Sequence, residues 1–304
     1  MAEQSTTDPT RTYRGNCHCK ANVFEVTVPE IQALASCNCS SCTKKGMLWI
    51  YPKYADIVWV KGDEGSLTDY TFGKKGLHYK SCPTCGVTLY GVGYFEPPKP
   101  GENKEPICGL NARTIQDLDI WSLELKSMNG GAYGAPYEPA KFTGTIPEAE
   151  VEGSRVYTGG CHCGAVRLAV RSRPLDETYD DRVIECNCSI CGRLTFPKYG
   201  SIWIYPRKEL VSYEGEENLT YYKMGRGMFN KGFCKHCATP VENRVSKLSD
   251  EQREALPEGA REWYDRGHTQ RATNSRMLDD INFSQLKKQR IDGWNNILPK
   301  YENP

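Results

Sequence analysis

The hexapeptide Cys37-Asn38-Cys39-Ser40-Ser41-Cys42 returns as Cys186-Asn187-Cys188-Ser189-Ile190-Cys191. Three cysteines in six residues, written twice in the same order, constrain the fold more than any other feature, because packing alone does not require them. Fourteen of the 15 cysteines fall into two matching sets. The first runs Cys17-His18-Cys19, then Cys37, Cys39 and Cys42, then Cys82-Pro83-Thr84-Cys85. The second runs Cys161-His162-Cys163, then Cys186, Cys188 and Cys191, then Cys234-Lys235-His236-Cys237. Cys108 is left over and is expected to be a buried free thiol. Trp49-Ile50-Tyr51-Pro52 recurs as Trp203-Ile204-Tyr205-Pro206, Asn111-Ala112-Arg113 as Asn274-Ser275-Arg276, and Gly130 answers Gly293. The chain is therefore an internal duplication, with a unit too long for a solenoid repeat.

The spacings predict metal. Met1–Thr12 is polar, without the apolar core of a secretory leader, and is expected to be a disordered arm. A cytoplasmic setting follows, in which clustered cysteines point to metal before disulfides. In Cys17-x-Cys19 both side chains share one face of an extended segment. In Cys82-x-x-Cys85 a tight turn brings the sulfurs together. The two pairs make a closed four-thiolate site of the structural kind, and Cys161, Cys163, Cys234 and Cys237 make a second. The triads Cys37, Cys39, Cys42 and Cys186, Cys188, Cys191 have no fourth cysteine. Either each keeps an open position for a ligand, as catalytic zinc sites do, or a His or Asp from elsewhere closes it. Thiolate ligands favour zinc over magnesium or calcium, and an incoming thiol suits an open position. Up to four zincs per chain are expected.

The domains follow from the repeat: 13–143, a linker over 144–155, and 156–304. An insertion of about 246–272 lies in the second domain. Within it Ser249–Arg266 reads as a short charged helix capped by Ser249, either a solvated decoration or a lid over the second site. The 28 glycines and 18 prolines, with β-branched or alternating runs at Val23–Val28, Trp49–Tyr51, Ile57–Val60, Thr88–Tyr94 and Val166–Val170, predict a mainly β protein of antiparallel sheets pinned by metal. A net charge of +1 argues against a nucleic-acid partner, and no apolar run is long enough for a membrane helix.

On Gly15-Asn16-Cys17-His18-Cys19, the two triads, Lys44-Lys45-Gly46, Cys82-Pro83-Thr84-Cys85-Gly86 and Asn111-Ala112-Arg113, the chain resembles the glutathione-dependent formaldehyde-activating family, which includes the centromere protein V domain. The second domain matches through Gly160–Val166, its own triad and Cys234/Cys237. The resemblance implies tandem β-tent domains, each with a structural zinc and an active-site zinc. It also implies glutathione or a thiol conjugate as ligand and carbon–sulfur lyase chemistry of the S-hydroxymethylglutathione synthase type. The tandem arrangement is similar to that of fungal members that act on secondary metabolites. Lys20 and Ala238 stand where the family pattern has Gly.

On that reading Cys37, Cys39 and Cys42 form the catalytic centre. Lys44 and Lys45 are the nearby cations expected to help hold an anionic ligand, with Arg193 in the second domain. Trp49, Tyr51 and His78 are the expected substrate-binding residues, Trp49 and Tyr51 as pocket wall and His78 as a proton carrier. His18 and His162, between metal ligands, are expected to point away from their metal and hydrogen-bond elsewhere. The first domain, closer to the family pattern, is expected to be the active one. The alternative is a non-catalytic zinc module of the centromere protein V type, which would lean on a basic tail; here Met1–Thr12 supplies only Arg11.

Overall fold

The computed structural model describes residues 9–149, 151–194 and 201–304. The first domain contributes β1 (Thr10–Asn16), β2 (Val23–Pro29), β3 (Ala33–Cys37), α1 (Ser40–Lys45), β4 (Leu48–Ile50), β5 (Ile57–Lys61), β6 (Thr68–Tyr70), β7 (Leu77–Ser81), β8 (Thr88–Gly93), β9 (Ile107–Asn111) and β10 (Glu124–Met128). The second contributes β11 (Arg155–Gly160), β12 (Arg167–Ser172), β13 (Val183–Cys186), α2 (Ser189–Leu194), β14 (Ser201–Ile204), β15 (Val211–Glu214), β16 (Leu219–Lys223), β17 (Phe229–Cys234), β18 (Pro240–Val245), α3 (Asp250–Glu254), α4 (Glu258–Gly267), β19 (Ala272–Asn274), β20 (Gln289–Ile291) and α5 (Gly293–Asn296).

The protein is mainly β, and the two halves share one plan. Each has a three-stranded sheet, β1-β2-β5 or β11-β12-β15, and a seven-stranded sheet, β10-β3-β4-β9-β8-β7-β6 or β20-β13-β14-β19-β18-β17-β16. The sheets are antiparallel except at one edge of each larger sheet, where β10 and β20 run parallel to β3 and β13. That exception departs from the purely antiparallel expectation; a long crossover is what allows a parallel neighbour. Strand β1 begins at Thr10, paired with Pro29, so the arm expected over Met1–Thr12 is already sheet from Thr10 onward. Residues 1–8 lie outside the described chain.

One further detail corrects the sequence reading, and one sharpens it. The insertion is not one helix: Ser249 caps α3 in a capping box with Gln252, and Pro257 then starts α4 separately. Proline fixes φ and lacks an N–H, so it belongs at a helix start and ends what precedes it. Strand β11 starts at Arg155, within the expected linker.

The halves are packed together. One apolar cluster runs from Phe24, Leu34 and Leu89 into Ile184, Ile190 and Trp203. Several polar contacts between halves come in matched pairs. Arg113 donates to the Gly192 carbonyl at 2.9 Å, and Arg276 donates to the Thr43 carbonyl at 3.2 Å. Thus the turn after β9 holds α2, and the turn after β19 holds α1. No helix among the described residues is long and apolar enough to cross a membrane.

Candidate metal centre

All four cysteine groups predicted from spacing assemble, with the sulfurs of each group within 4.8 Å of one another: Cys17, Cys19, Cys82 and Cys85; Cys161, Cys163, Cys234 and Cys237; and the triads Cys37, Cys39, Cys42 and Cys186, Cys188, Cys191. The strand ends and turns explain the assembly. Cys17 follows β1, and Cys82–Cys85 form the turn between β7 and β8, where the Gly86 N–H donates to the Cys82 carbonyl at 2.9 Å. Each triad starts at the end of β3 or β13 and enters a short helix, so Cys39 and Cys42 lie one turn apart.

The geometry fits a tetrahedral thiolate centre. Zinc–sulfur bonds of about 2.3 Å place tetrahedral sulfurs about 3.8 Å apart. The Cys17–Cys19 and Cys19–Cys82 sulfurs stand 3.5 and 3.4 Å apart, and Cys161–Cys163 and Cys163–Cys234 stand 3.5 and 3.6 Å apart. Backbone N–H groups of Asn22 and Val166 donate to Cys17 and Cys161 at 3.3 and 3.2 Å, as outer partners of thiolate ligands do. In the first triad, hydrogen bonds from Cys39 and Cys42 draw the Cys37 thiol well below its ordinary range.

The two triads differ in access. Cys37 and Cys39 are part-exposed, whereas Cys186, Cys188 and Cys191 are buried. The first triad forms one end of a cavity of about 600 Å3. Around the second triad the corresponding space is narrower among the described residues. Trp263 of α4 packs on Tyr205, the counterpart of the cavity-lining Tyr51, with ring centres 5.7 Å apart. Lys231, at the register position of Tyr79, donates to the Cys191 sulfur at 3.3 Å. Trp294 and Ile297 stand in the smaller cavity of about 160 Å3 that reaches Cys188.

The sequence-predicted residues separate. Tyr51 lines the first cavity, as does Trp49, whose indole N–H donates to the Cys42 sulfur at 3.2 Å. Lys44 points into the second domain, donating to Asp279 at 3.1 Å and to the Met277 carbonyl at 3.3 Å. Lys45 is buried under Tyr70 and Tyr79, whose rings lie 5.4 and 5.6 Å from its ammonium. Burial lowers its pKa, and the thiolates of Cys237 and Cys42 oppose that shift. Its charge therefore sits between the first triad and the second domain's four-cysteine cluster. His78 is bound to Asp69 at 2.8 Å on the surface, away from the residues lining the cavity. Arg193 donates to Asn303 and lies over the Tyr301 ring.

A feature that spacing did not reveal completes the first site. His162 turns away from its own cluster into the first domain's cavity. Its Nε2 lies 2.8 Å from Ser40 Oγ and its Nδ1 2.6 Å from the Tyr70 hydroxyl. Tyr137 stacks on its ring at 4.6 Å and donates to its carbonyl at 2.8 Å. Burial holds this imidazole down to about 4, so it is neutral at pH 7. The arrangement is mirrored: His18 meets Ser189 at 2.9 Å and Tyr222 at 3.0 Å, with Tyr301 over its ring. The only sequence trace of this exchange is the repeated His between ligands and the repeated Ser after each middle triad cysteine.

Comparison with known proteins agrees with this architecture. The model of the family described as glutathione-dependent formaldehyde-activating enzyme matches residues 12–106 and 156–266, well over half of the chain. The chain belongs to that family, in a tandem form. A solved Rhodobacter sphaeroides protein is similar at 25% identity, covering 37% of this chain and 99% of its own, with a TM-score of 0.31.

Proposed function

We propose that this chain is a zinc-dependent enzyme of the carbon–sulfur lyase type, working at the first triad on glutathione or a related thiol and its adduct with a carbonyl compound. The observation that carries this reading is the difference in access. The triad of Cys37, Cys39 and Cys42 opens on a ligand-sized cavity, while the matching triad is buried. A zinc ion on those three thiolates would supply Lewis acidity that keeps a bound thiol ionised.

In the forward direction the carbon–sulfur bond forms as the carbonyl π bond opens, and the oxygen takes up a proton. In reverse the hydroxyl proton leaves, the carbonyl re-forms and the carbon–sulfur bond breaks. Ser40, Tyr70 and His162 suit the proton side of this exchange. With His162 protonated on Nε2, Tyr70 donates to Nδ1 and Nε2–H donates to Ser40 Oγ. The Ser40 hydroxyl proton is then free to donate to an oxygen in the cavity. Trp49 fixes Cys42, and Lys45 offsets the negative charge of the cluster without entering the cavity. The second triad, with Lys231 against Cys191, serves as scaffold.

The test is exchange of glutathione with formaldehyde, followed by NMR. Cys39→Ser abolishes the enzymatic acceleration, and Cys188→Ser keeps it provided the variant stays folded by circular dichroism. Acceleration that survives in Cys39→Ser would refute the assignment.

A further inference from the structure

Resting on that reading, we infer that the ligand held through sulfur at the first triad carries a planar, uncharged aromatic group, received between Tyr51, Phe72 and the Phe95–Tyr133 pair. Four observations converge. A cavity of about 600 Å3 is the size of a small-molecule site. With the peptide part of a thiol held toward solvent, a one-carbon unit alone would leave much of it unfilled.

The walls are aromatic and ordered. Phe72 stacks between Tyr79 at 5.5 Å and Tyr70 at 6.0 Å, in planes within 24° and 25° of its own. At the mouth Phe95 and Tyr133 stack at 4.8 Å and 11°, yet remain 37% and 61% exposed, and Tyr51 remains 43% exposed. Such a set of exposed aromatic faces around one cavity marks a binding surface rather than a core.

Two positions of the lining add no side chain. A Cβ added to Gly73 or Gly134, both lining the cavity, would meet nothing within 4 Å.

The charges are wrong for a polyanionic ligand buried at depth. The cavity's charged lining among the described residues is Lys74, Glu96 and Glu138, and Lys74 is already paired with Glu96 at 3.7 Å. Lys44 and Lys45 are engaged elsewhere. An apolar ring therefore fits the inner walls, while the carboxylates of a peptide thiol stay toward solvent.

The experiment is calorimetric titration of the zinc-loaded chain with phenylmethanethiol, 2-mercaptoethanol and glutathione. An aromatic pair adds about 0.5–1.5 kcal/mol beyond area burial. With the apolar area also covered, phenylmethanethiol should bind at least roughly tenfold more tightly than 2-mercaptoethanol, the factor that about 1.4 kcal/mol represents. In the Phe95→Ala/Tyr133→Ala double variant that ratio should fall below about threefold with the melting temperature unchanged; both rings are at the surface. Equal affinities for the aromatic and aliphatic thiols in the unmodified chain would overturn this inference and leave the thiol reading standing. An undiminished ratio in the double variant would overturn the assignment of the ring to that mouth. Failure of every thiol to bind would overturn both this inference and the proposed function.

Discussion

Gly130 begins the short turn Gly130–Ala132 that closes over the first triad. A Cβ at this position would lie 2.3 Å from the Cys37 sulfur and 3.3 Å from the Cys39 Cβ. Gly130 is not among the glycines held at positive φ, so Gly130→Ala carries no left-handed backbone penalty and its cost is contact alone. Non-bonded carbon contacts settle at about 3.5–4.0 Å, so the sulfur or the turn must retreat by more than an ångström, roughly. Overpacking of this kind costs about 1–3 kcal/mol. At about 1.4 kcal/mol per decade, that weakens the metal site roughly five- to hundredfold if the sulfur gives way. The assay is metal release to a chromogenic chelator. Gly130→Ala should hold three metals with unchanged affinity and lose the fourth early, and thiol exchange should fall with it. Gly131→Ala is the control, since its Cβ comes no closer than 3.3 Å to any atom, the nearest being the Asn38 side-chain oxygen, and does not meet a cysteine sulfur. A Gly130→Ala protein that holds all four metals as tightly as the parent would refute both the placement of the turn and the role of Cys37.

Other expectations follow from the same contacts. Glu242 is fully buried between Arg244 at 2.7 Å and Arg271 at 2.5 Å, so Glu242→Ala should destabilise by about 3–5 kcal/mol in denaturant titration; a loss below 1 kcal/mol, roughly, would show that the arginines find other partners. Lys20 and Ala238 occupy left-handed φ of 64° and 56°, where their repeat counterparts are Gly164 and Gly86 at 74° and 72°. The left-handed penalty of about 1–2 kcal/mol exceeds the entropic cost of glycine, so Lys20→Gly and Ala238→Gly should each stabilise by about 0.5–1 kcal/mol. Unchanged melting temperatures would contradict that. Lys231→Met should weaken metal binding at the second triad by about 10–100-fold and leave the first triad unaltered; equal losses at both centres would mean that Lys231 acts through the fold as a whole.

The cysteine groups were legible because ligand spacing is local: Cys-x-Cys on a strand end, Cys-x-x-Cys in a turn, and the triad entering a helix all fall within a few residues. The strands were legible for the same reason, since β-branched runs such as Val23–Pro29 and Ile57–Lys61 are local, although Ile57–Lys61 alternates in burial where its apolar sequence does not. What stayed hidden depends on packing between the repeats. Ser40 and His162 are 122 positions apart, and nothing in either neighbourhood names the other. Lys44 and Lys45 looked like equivalent loop cations, but one turn of helix sends the first to Asp279 and buries the second under two tyrosines. The narrower surroundings of the second triad were equally distant, because Trp263 and Trp294 come from the insertion and the final helix. Trp263 of the insertion packs on Tyr205.

The central claim is that one of two look-alike triads is open to thiols. Native mass spectrometry of the zinc-loaded chain in the presence of excess phenylmethanethiol tests it directly. Four zincs and a single bound thiol per chain are expected, the thiol lost in Cys39→Ser and kept in Cys188→Ser. Two thiols per chain, or four zincs with none, would contradict it.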